Sequence, residues 1–382
     1  MMKMLPDVQY ELRPGVIEFR WGHPDLALLP TTSMAQAAAR ALTQGGIAAL
    51  SYGAEQGPGC LIAQVCAWLG RHEGTAPQPE QVYITAGVSQ ALDLLCTLWT
   101  RPGDIALVES PVYHLALRIF RDHGLDLRPV AADEQGVIPD ALAAALADLR
   151  RQSQHPRFFY TVPTFGNPTA AVLPLGRRQA IAALAQEADL LILEDDVYRR
   201  LWYDAPPPLP LAALAPANVV RLGSFSKVLA PGLRLGWLVA PAEVVRRCAG
   251  AGLNDSGGGV SHFTAHVVAA FMELGWLDSH IEELRAVYRQ RRDALLAALT
   301  AELPAGCRCQ TPAGGFFAWV GLPEGCDSSA LLPAAEAAGL SYVPGVRFFA
   351  DGSGARYLRL AFSLLSPEEL AEGARRLGRV LS

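Results

Sequence analysis

The feature that most constrains the fold is an alternation of short apolar segments with longer helical patterns through the middle of the chain. The predicted strands are residues 82–85, 105–109, 157–162, 190–194, 219–223 and 236–240. Helical patterns follow the first three of them, at residues 89–99, 111–123 and 177–187. Strands that alternate with helices form mostly parallel sheets covered by helices on both faces. The sequence therefore predicts an α/β fold.

The pattern changes after about residue 278. A long amphipathic helix rich in Arg and Glu is predicted at 279–303, and further strands and helices at 315–321, 328–338, 341–344, 357–362 and 367–381. These elements predict a smaller α+β domain. We expect an N-terminal segment of residues 1–45 that joins the small domain, a large domain of residues 46–280 and a small domain of residues 281–382. The Pro- and Ala-rich stretch 204–217 is interpreted as a surface loop.

Composition limits the partners and the compartment. The 382 residues carry a net charge of −5 with 18% charged residues, which gives no reason to expect nucleic acid or a membrane surface as a partner. The seven cysteines include one C-x-C pair, Cys307 and Cys309, without a second pair at zinc spacing, so we expect reduced thiols and no metal. The N-terminal residues show no signal-peptide core, and no apolar stretch is long enough to cross a bilayer. These features favour the cytoplasm.

Four local patterns carry chemistry, and each follows a predicted strand. In the first, Gly87 joins a strand to a helix, where free backbone N–H groups suit a phosphate; a tight turn capped by Ser89 is the alternative. In the second, Asn167-Pro168-Thr169 forms a turn, with a trans or cis bond, from which Asn167 can reach a phenolic oxygen; an ordinary surface turn is the alternative.

The third pattern is the acidic run Glu194-Asp195-Asp196, followed by Tyr198, at the end of an apolar strand. Ligands of α/β sheets bind at such strand ends. A buried carboxylate requires a cationic partner, and a protonated pyridine nitrogen would serve. Solvated loop acids are the alternative.

The fourth pattern is Ser224-Phe225-Ser226-Lys227, followed by Arg234. A lysine that is desolvated beside other cations loses its proton easily, as imine formation requires. Arg234 supplies a fork-shaped donor for a phosphate. An ordinary surface lysine is the alternative, but all four patterns occur together in one chain.

Together these motifs resemble the pyridoxal 5′-phosphate (PLP)-dependent aminotransferases of fold type I, class I and II. The resemblance covers essentially the whole chain, and it is nearest to 2-aminoadipate aminotransferase and the aminotransferase-like domains of MocR/GntR-type regulators. The motifs that carry it are FGNPT (165–169), LEDDVY (193–198), GSFSKVLAPGLRLGW (223–237) and YLRLAFS (357–363). It implies a seven-stranded-type, mostly parallel sheet between helices, plus a small α+β domain.

The resemblance also implies roles for individual residues. Lys227 would form the Schiff base with the cofactor and move the proton at the substrate Cα. Asp195 would pair with the pyridine nitrogen, Asn167 and Tyr198 would bond the phenolic oxygen, and Tyr113 would stack on the ring. The implied phosphate ligands are the N–H groups of Val88 and Ser89, the hydroxyls of Ser224 and Ser226, and Arg234.

The remaining implied roles concern the substrate and a second subunit. Tyr52 would reach the phosphate of the neighbouring subunit, so the resemblance implies a homodimer. Arg359 would clamp the substrate α-carboxylate, with Asn167 and Gly22 beside it.

Two departures from the family pattern are visible. Ala170 replaces the Gly of Asn-Pro-Thr-Gly, so the turn must avoid a positive φ or strain to reach it. The N-terminal helix that carries a side-chain-binding arginine in 2-aminoadipate aminotransferases is not visible, which puts preference for a second carboxylate in doubt. Arg13, Arg20 or His23 are substitutes, although each is expected to be structural or solvated.

We therefore predict an aminotransferase that exchanges an amino group between an α-amino acid and a 2-oxo acid by a ping-pong mechanism. A β-lyase, decarboxylase or racemase on the same fold is an alternative, because small side-chain placements select among these reactions. A second alternative is a PLP-binding sensor domain of a MocR-type regulator. The absence of a basic DNA-binding element and the presence of Arg359 argue against it.

Overall fold

The computed structural model describes residues 8–382, so the first seven residues of the predicted N-terminal segment lie outside it. Its strands are β1 Ile17–Glu18, β2 Val82–Thr85, β3 Ile105–Ser110, β4 Asp126–Asp133, β5 Gly136–Val137, β6 Phe158–Thr161, β7 Ile192–Asp195, β8 Val219–Ser224, β9 Gly236–Val239, β10 Arg308–Cys309, β11 Phe317–Gly321, β12 Leu340–Ser341, β13 Val343–Pro344 and β14 Tyr357–Ala361. Its helices are α1 Thr31–Gly45, α2 Gly59–Glu73, α3 Val88–Trp99, α4 His114–Asp122, α5 Pro139–Arg151, α6 Leu175–Ala188, α7 Leu211–Leu214, α8 Ala242–Ala249, α9 Gly252–Asp255, α10 His262–Glu273, α11 Trp276–Glu302, α12 Ser328–Ala337 and α13 Pro367–Leu381.

The central sheet has the strand order β2-β9-β8-β7-β6-β3-β4-β5. The neighbours from β8 to β4 are parallel, whereas β9 runs antiparallel to both β8 and β2. Strands β2, β6 and β7 are buried along their whole length, as expected for a sheet covered on both faces. The prediction of a mostly parallel α/β sheet is confirmed, with the two-residue strand β5 as an additional edge.

Three parallel strands bring the predicted motifs to one edge of this sheet. Strand β6 ends at Thr161, β7 at Asp195 and β8 at Ser224, and each strand pairs with the next. Because parallel strands end on the same side, the segments that follow them converge there.

Some elements differ from those predicted. Helix α4 begins at His114 and not at Pro111, because residues 111–113 are not helical, and β4 and α5 are not predicted from the sequence. Strand β4 contains Pro129 and several charged, partly exposed residues, which hide its strand character. The interpretation of 204–217 as a surface loop is wrong in part, because it includes helix α7, whose Leu211 is buried.

The C-terminal part contains a four-stranded sheet of order β10-β11-β14-β13, with antiparallel pairing throughout. The predicted long helix is present as α11, and it packs along α13. Strand β1 pairs in parallel with β12, so the N-terminal segment joins the C-terminal part. The exact domain boundaries stay a prediction. Within residues 8–382, no helix is both long and apolar enough to cross a membrane.

Candidate active site

Lys227 lies in the loop between β8 and β9. Its Nζ donates a hydrogen bond to the carbonyl oxygen of Gly22 at 3.1 Å and lies 6.0 Å from the ring centroid of Tyr198. Burial of the ammonium group and the nearby Arg359 guanidinium lower the pKa of Lys227 from 10.5 to about 8, although Asp195 partly opposes them. The lysine therefore gives up its proton more easily than a surface lysine.

Asp195 ends strand β7 with one carboxylate oxygen satisfied and the other free. Its Oδ2 accepts a hydrogen bond from the Tyr160 hydroxyl at 2.8 Å, and its Oδ1 is buried without a partner. Burial raises the pKa of this carboxyl to about 6. A buried, unpaired carboxylate oxygen is costly. A ring nitrogen that carries a proton would satisfy it, so this residue fits the predicted cofactor.

The two acids beside Asp195 have other partners. Glu194 accepts hydrogen bonds from the N–H groups of Leu211 and Ala212 at 2.8 and 2.9 Å, at the start of α7. Asp196 forms an ion pair with Arg221 at 2.8 Å. Because side chains alternate between the two faces of a strand, Asp195 alone of the three faces the site. The alternative interpretation as solvated loop acids is wrong, since all three are buried.

Arg359 and Asn167 meet at the same site from β14 and from the turn after β6. Nη1 of Arg359 donates to Oδ1 of Asn167 at 3.2 Å, and its Nη2 donates to the carbonyl oxygen of Arg20 at 2.5 Å. Arg359 is 3% exposed, its Nε has no partner, and its guanidinium lies 4.3 Å from the Phe317 ring centroid. Burial lowers its pKa to about 10. A buried guanidinium with an unpaired donor can receive a carboxylate.

Tyr113 and Tyr198 supply rings around these charges. Tyr113 directly precedes α4, and burial raises its pKa to about 12. Tyr198 is buried, and its ring lies edge-on to Phe316 and Phe317 at 5.4 and 5.8 Å. The peptide bonds Ser110–Pro111 and Asn167–Pro168 are both cis.

The segment before α3 forms an open cradle. Gly87 has φ +91° and precedes the helix without any side-chain cap, so the alternative in which Ser89 caps the helix is wrong. A Cβ on Gly87 would lie 2.9 Å from Nη2 of Arg234, which donates to the carbonyl oxygen of Ala86 at 3.0 Å. Uncapped N–H groups of Val88 and Ser89 beside a guanidinium suit a phosphate.

Lys227 and Arg234 belong to one hairpin. Ser224 in β8 and Gly236 in β9 are paired in register, and both basic residues lie between them. The Ser224 hydroxyl accepts a hydrogen bond from the N–H of Ser226 at 3.0 Å, which shapes the first turn of this loop.

The structure does not bring Tyr52 into this site. Its side chain is 91% exposed and lies beside Gly257, where an added Cβ would come within 3.0 Å of the tyrosine ring. Gly22 is within the site, since its carbonyl oxygen accepts the Lys227 bond, and a Cβ there would lie 2.5 Å from the Phe317 ring.

Two contributors had not been singled out from the sequence. Tyr160 supports Asp195 from the neighbouring strand, and Thr85 places a buried hydroxyl without a partner before the cradle. A polar hydroxyl in an otherwise apolar strand, as in Tyr160, is a signal that would have found the first. Within residues 8–382, no group of three or more potential ligands could hold a metal ion.

The three proposed substitutes for a side-chain-binding arginine are not free cations. Glu18 pairs with Arg13 at 2.6 Å and with Arg20 at 3.2 Å. Burial and the charges of Lys227 and Arg359 lower the pKa of His23 to about 4, so this imidazole is neutral at pH 7. Its ring packs against those of Tyr10 and Trp21, with centroids 5.1 and 5.6 Å away, and these two rings also contact each other at 6.3 Å.

Comparisons with known proteins agree with this geometry. Residues 15–377 match the family model of class I and II aminotransferases. The chain is 37% identical over 377 residues to 2-aminoadipate transaminase of Thermus thermophilus, covering 97% of this chain and 91% of that protein. It is 33% identical to aromatic-amino-acid aminotransferase 1 of Thermococcus litoralis, with 96% and 88% covered. The crystal structure of the α-aminoadipate aminotransferase LysN from Thermus thermophilus, complexed with N-(5′-phosphopyridoxyl)-L-leucine, superposes with a TM-score of 0.87 at 36% identity, covering 96% and 92%.

Proposed function

The chain belongs to the class I and II aminotransferases and is a pyridoxal 5′-phosphate-dependent enzyme of fold type I, and we propose that Lys227 binds its cofactor and moves its catalytic proton. One observation carries this proposal. The chain has only two lysines, Lys3 and Lys227, among 32 Lys and Arg residues, and Lys227 lies beside Asp195 and Arg359 with a lowered pKa. Among the side chains, only lysine offers a primary amine for imine formation.

The enzyme exchanges an amino group between an α-amino acid and a 2-oxo acid. When bound, the cofactor supplies an electron-withdrawing ring that stabilises the negative charge developed at the substrate Cα. Lys227, whose lowered pKa lets it lose its proton more readily near neutral pH, removes and returns the Cα proton. Arg359 binds the α-carboxylate through its two terminal nitrogens and so fixes the Cα–H bond relative to Nζ.

Asp195 and Asn167 hold the ring in this proposal. The free Oδ1 of Asp195 would accept a hydrogen bond from the protonated ring nitrogen, while the Tyr160 hydroxyl fixes the orientation of the carboxylate. Asn167 uses its Oδ1 for Arg359, which leaves its amide N–H groups to donate to the phenolic oxygen together with Tyr198. Tyr113 covers the ring face. The phosphate is bound by the N–H groups of Val88 and Ser89, the hydroxyls of Ser224 and Ser226, and Arg234.

The active unit is proposed to be a homodimer in which Tyr52 crosses to the partner's phosphate. An exposed apolar patch supports it, consisting of Ile47, Leu50, Tyr52 and Leu253, which are 87, 70, 91 and 64% exposed. Tyr52 lies beside Gly257, and Leu253 lies beside Gly258, so these side chains are grouped, and a group of apolar side chains this exposed marks an interaction surface. The seven unpaired cysteines support a reducing compartment such as the cytoplasm.

The preferred donor is proposed to be an α-amino acid with a large neutral side chain. The neighbours of Gly22 in sequence, Trp21 and His23, pack their rings against each other and against Tyr10, while Glu18 already neutralises Arg13 and Arg20. The similarity to an aromatic-amino-acid aminotransferase supports the same class. We expect phenylalanine to convert the bound cofactor to its amino form faster than 2-aminoadipate does; the reverse order would refute this preference.

The role of Lys227 is tested by borohydride reduction of the loaded enzyme followed by peptide mass spectrometry. The cofactor mass is expected on the peptide that contains Lys227, with Lys3 as the internal control. Lys227→Ala should carry no reducible adduct and show no transamination, whereas Lys227→Arg keeps the charge and should be equally inactive. An adduct on Lys3, or an unchanged bound-cofactor spectrum in Lys227→Ala, would show the assignment to be wrong.

A further inference from the structure

A groove with a volume of about 600 Å³ separates α4 from residues 345–352, which follow β13. Arg118 and Arg121 line it from the helix, and Arg347 lines it from the opposite side. His114 also lines the groove, and with Arg118 and Arg121 it occupies one face of α4, because residues spaced by three and four positions lie above one another.

Among the residues that the structure describes, the three arginines of the groove have no direct ion-pair partner, and they outnumber its one lining carboxylate, Asp351. Within residues 8–382, none of Arg118, Arg121 and Arg347 forms an ion pair with a carboxylate. Arg121 donates to the carbonyl oxygen of Ala350 at 3.0 Å. Asp351 lines the same groove, but its carboxylate accepts from the N–H and hydroxyl of Ser353 at 3.0 and 2.7 Å.

Grouped like charges destabilise a helix face slightly and raise the local anion concentration. The chain as a whole is acidic, with a net charge of −5, so this groove is not a consequence of a basic composition. An exposed cluster of guanidinium groups without carboxylate partners indicates an anionic ligand.

The groove lies next to the active site. The His114 ring contacts Phe348 edge-on at 4.9 Å, and the Phe348 centroid lies 5.3 Å from the Arg359 guanidinium. His114 also follows Tyr113 directly in sequence. Burial and the charges of Arg359 and Arg347 lower the pKa of His114 to about 3, and its buried Nδ1 has no partner. One aromatic ring therefore separates the groove from the proposed carboxylate-binding arginine.

We propose that this groove binds small dicarboxylates before or beside the catalytic site. Guanidinium groups match carboxylates in shape and charge, and three of them can hold two carboxylates. Glu18 already neutralises Arg13 and Arg20, whereas the arginines of the groove have no ion-pair partner in the described part of the chain and are available to a second carboxylate. The proposal rests on the proposed function only in placing the α-carboxylate at Arg359.

The test is calorimetric titration of the cofactor-loaded enzyme with succinate at low ionic strength. Succinate has no oxo group, so binding is measured without turnover and does not depend on the role of Lys227. The double variant Arg118→Gln/Arg347→Gln should bind succinate about tenfold more weakly and lose most of the salt dependence. Arg246→Gln is the matched control, since Arg246 is an exposed arginine of α8, and it should bind as the parent enzyme does.

The variant Arg359→Lys distinguishes succinate binding in the groove from binding in the catalytic site, because it should leave binding in the groove intact. If the double variant binds succinate as the parent enzyme does, while Arg359→Lys abolishes binding, the anion occupies the catalytic site alone and the groove proposal is wrong.

Steady-state kinetics distinguish a groove that captures the incoming substrate from a groove that binds a separate dicarboxylate. If the groove captures the incoming substrate, the double variant should lose about tenfold in kcat/KM for 2-oxoglutarate at low salt, and the loss should disappear in high salt. If a separate dicarboxylate resides in the groove, kcat/KM stays unchanged although succinate binding falls. Both results support the site.

Discussion

The Tyr160 hydroxyl donates a hydrogen bond to Oδ2 of Asp195 at 2.8 Å and leaves Oδ1 of the same buried carboxylate without a partner. The hydrogen bond orients the carboxylate but does not neutralise it, since the pKa of Asp195 is raised to about 6. In the absence of a cationic ligand, this side chain destabilises the folded protein once it is ionised.

Asp195→Asn should therefore stabilise the cofactor-free protein at neutral pH. The folded-state pKa of about 6 lies above the ordinary value of 3.8, so the wild type loses stability as the pH rises through this window. The free energy of unfolding falls by up to about 3 kcal/mol above pH 6. Asn avoids this loss because it carries no charge, and its amide oxygen still accepts the hydrogen bond from the Tyr160 hydroxyl. Urea unfolding of the cofactor-free proteins between pH 4 and pH 8 should show stabilities that coincide near pH 4, diverge between pH 4 and pH 6, and differ by a constant amount above pH 6.

Tyr160→Phe serves as the control, because it removes the donor but keeps the carboxylate, so its pH dependence should persist. Equal stability of wild type and Asp195→Asn at pH 8 would contradict the prediction. With the cofactor bound, Asp195→Ala should slow proton removal at Cα far more than it weakens amino-acid binding, and an equal effect on both would refute the electron-sink role.

Arg359→Lys should lower kcat/KM for amino acids by about one to two orders of magnitude. Lysine keeps the charge but has only one nitrogen, so it cannot replace the bonds of both Nη1 and Nη2. Steady-state kinetics measure this effect, and Arg308→Gln on the exposed strand β10 should leave kcat/KM unchanged. If Arg359→Lys retained full kcat/KM, the bidentate role would be excluded.

Ile47→Asp/Leu50→Asp should convert the proposed dimer to monomers and weaken cofactor retention. The two side chains are 87 and 70% exposed, and introducing charges into an apolar interface leaves them desolvated without partners. Sedimentation velocity at micromolar concentration measures the change. Leu175→Asp, at another exposed leucine, on α6, should not alter the mass. A wild type that sediments as a monomer would refute the dimer.

Ala170→Val should destabilise the protein by at least about 2 kcal/mol more than Ala171→Val does. Both alanines are buried, at 6 and 7% exposed, but only Ala170 has a positive φ, +57°, where a β-branched side chain is strongly disfavoured. The turn therefore reaches the left-handed region despite the missing glycine. Ala170→Gly should stay within about 1 kcal/mol of wild type, since relief of strain and added chain entropy offset each other. Urea unfolding of the three variants measures these differences.

Much of the site was predictable because parallel strands end on one edge of a sheet. Asp195, Asn167 and Lys227 follow three strands that are neighbours in the structure, so their convergence follows from the strand order alone. The alternation of side chains along β7 would also have separated Asp195 from Glu194 and Asp196.

Contacts between residues distant in the sequence were not predictable. Glu18 looks like a surface acid, yet it is 1% exposed and neutralises two arginines. Likewise, α7 packs inward because its first N–H groups bind Glu194, although its Pro- and Ala-rich surroundings resemble a loop. Such pairings depend on the tertiary arrangement, which local patterns do not encode.

The hairpin of β8 and β9 has a consequence for the choice of cofactor. Because Ser224 and Gly236 close a loop that contains both Lys227 and Arg234, the spacing between the reactive amine and the phosphate anchor is set within one continuous piece of chain. Arg359, in contrast, lies in β14 of the C-terminal sheet, so its position is set separately from that spacing. The hairpin thus selects cofactors by the distance between their aldehyde and phosphate groups. Analogues with a longer or shorter phosphate arm should bind poorly, whichever amino acid is present.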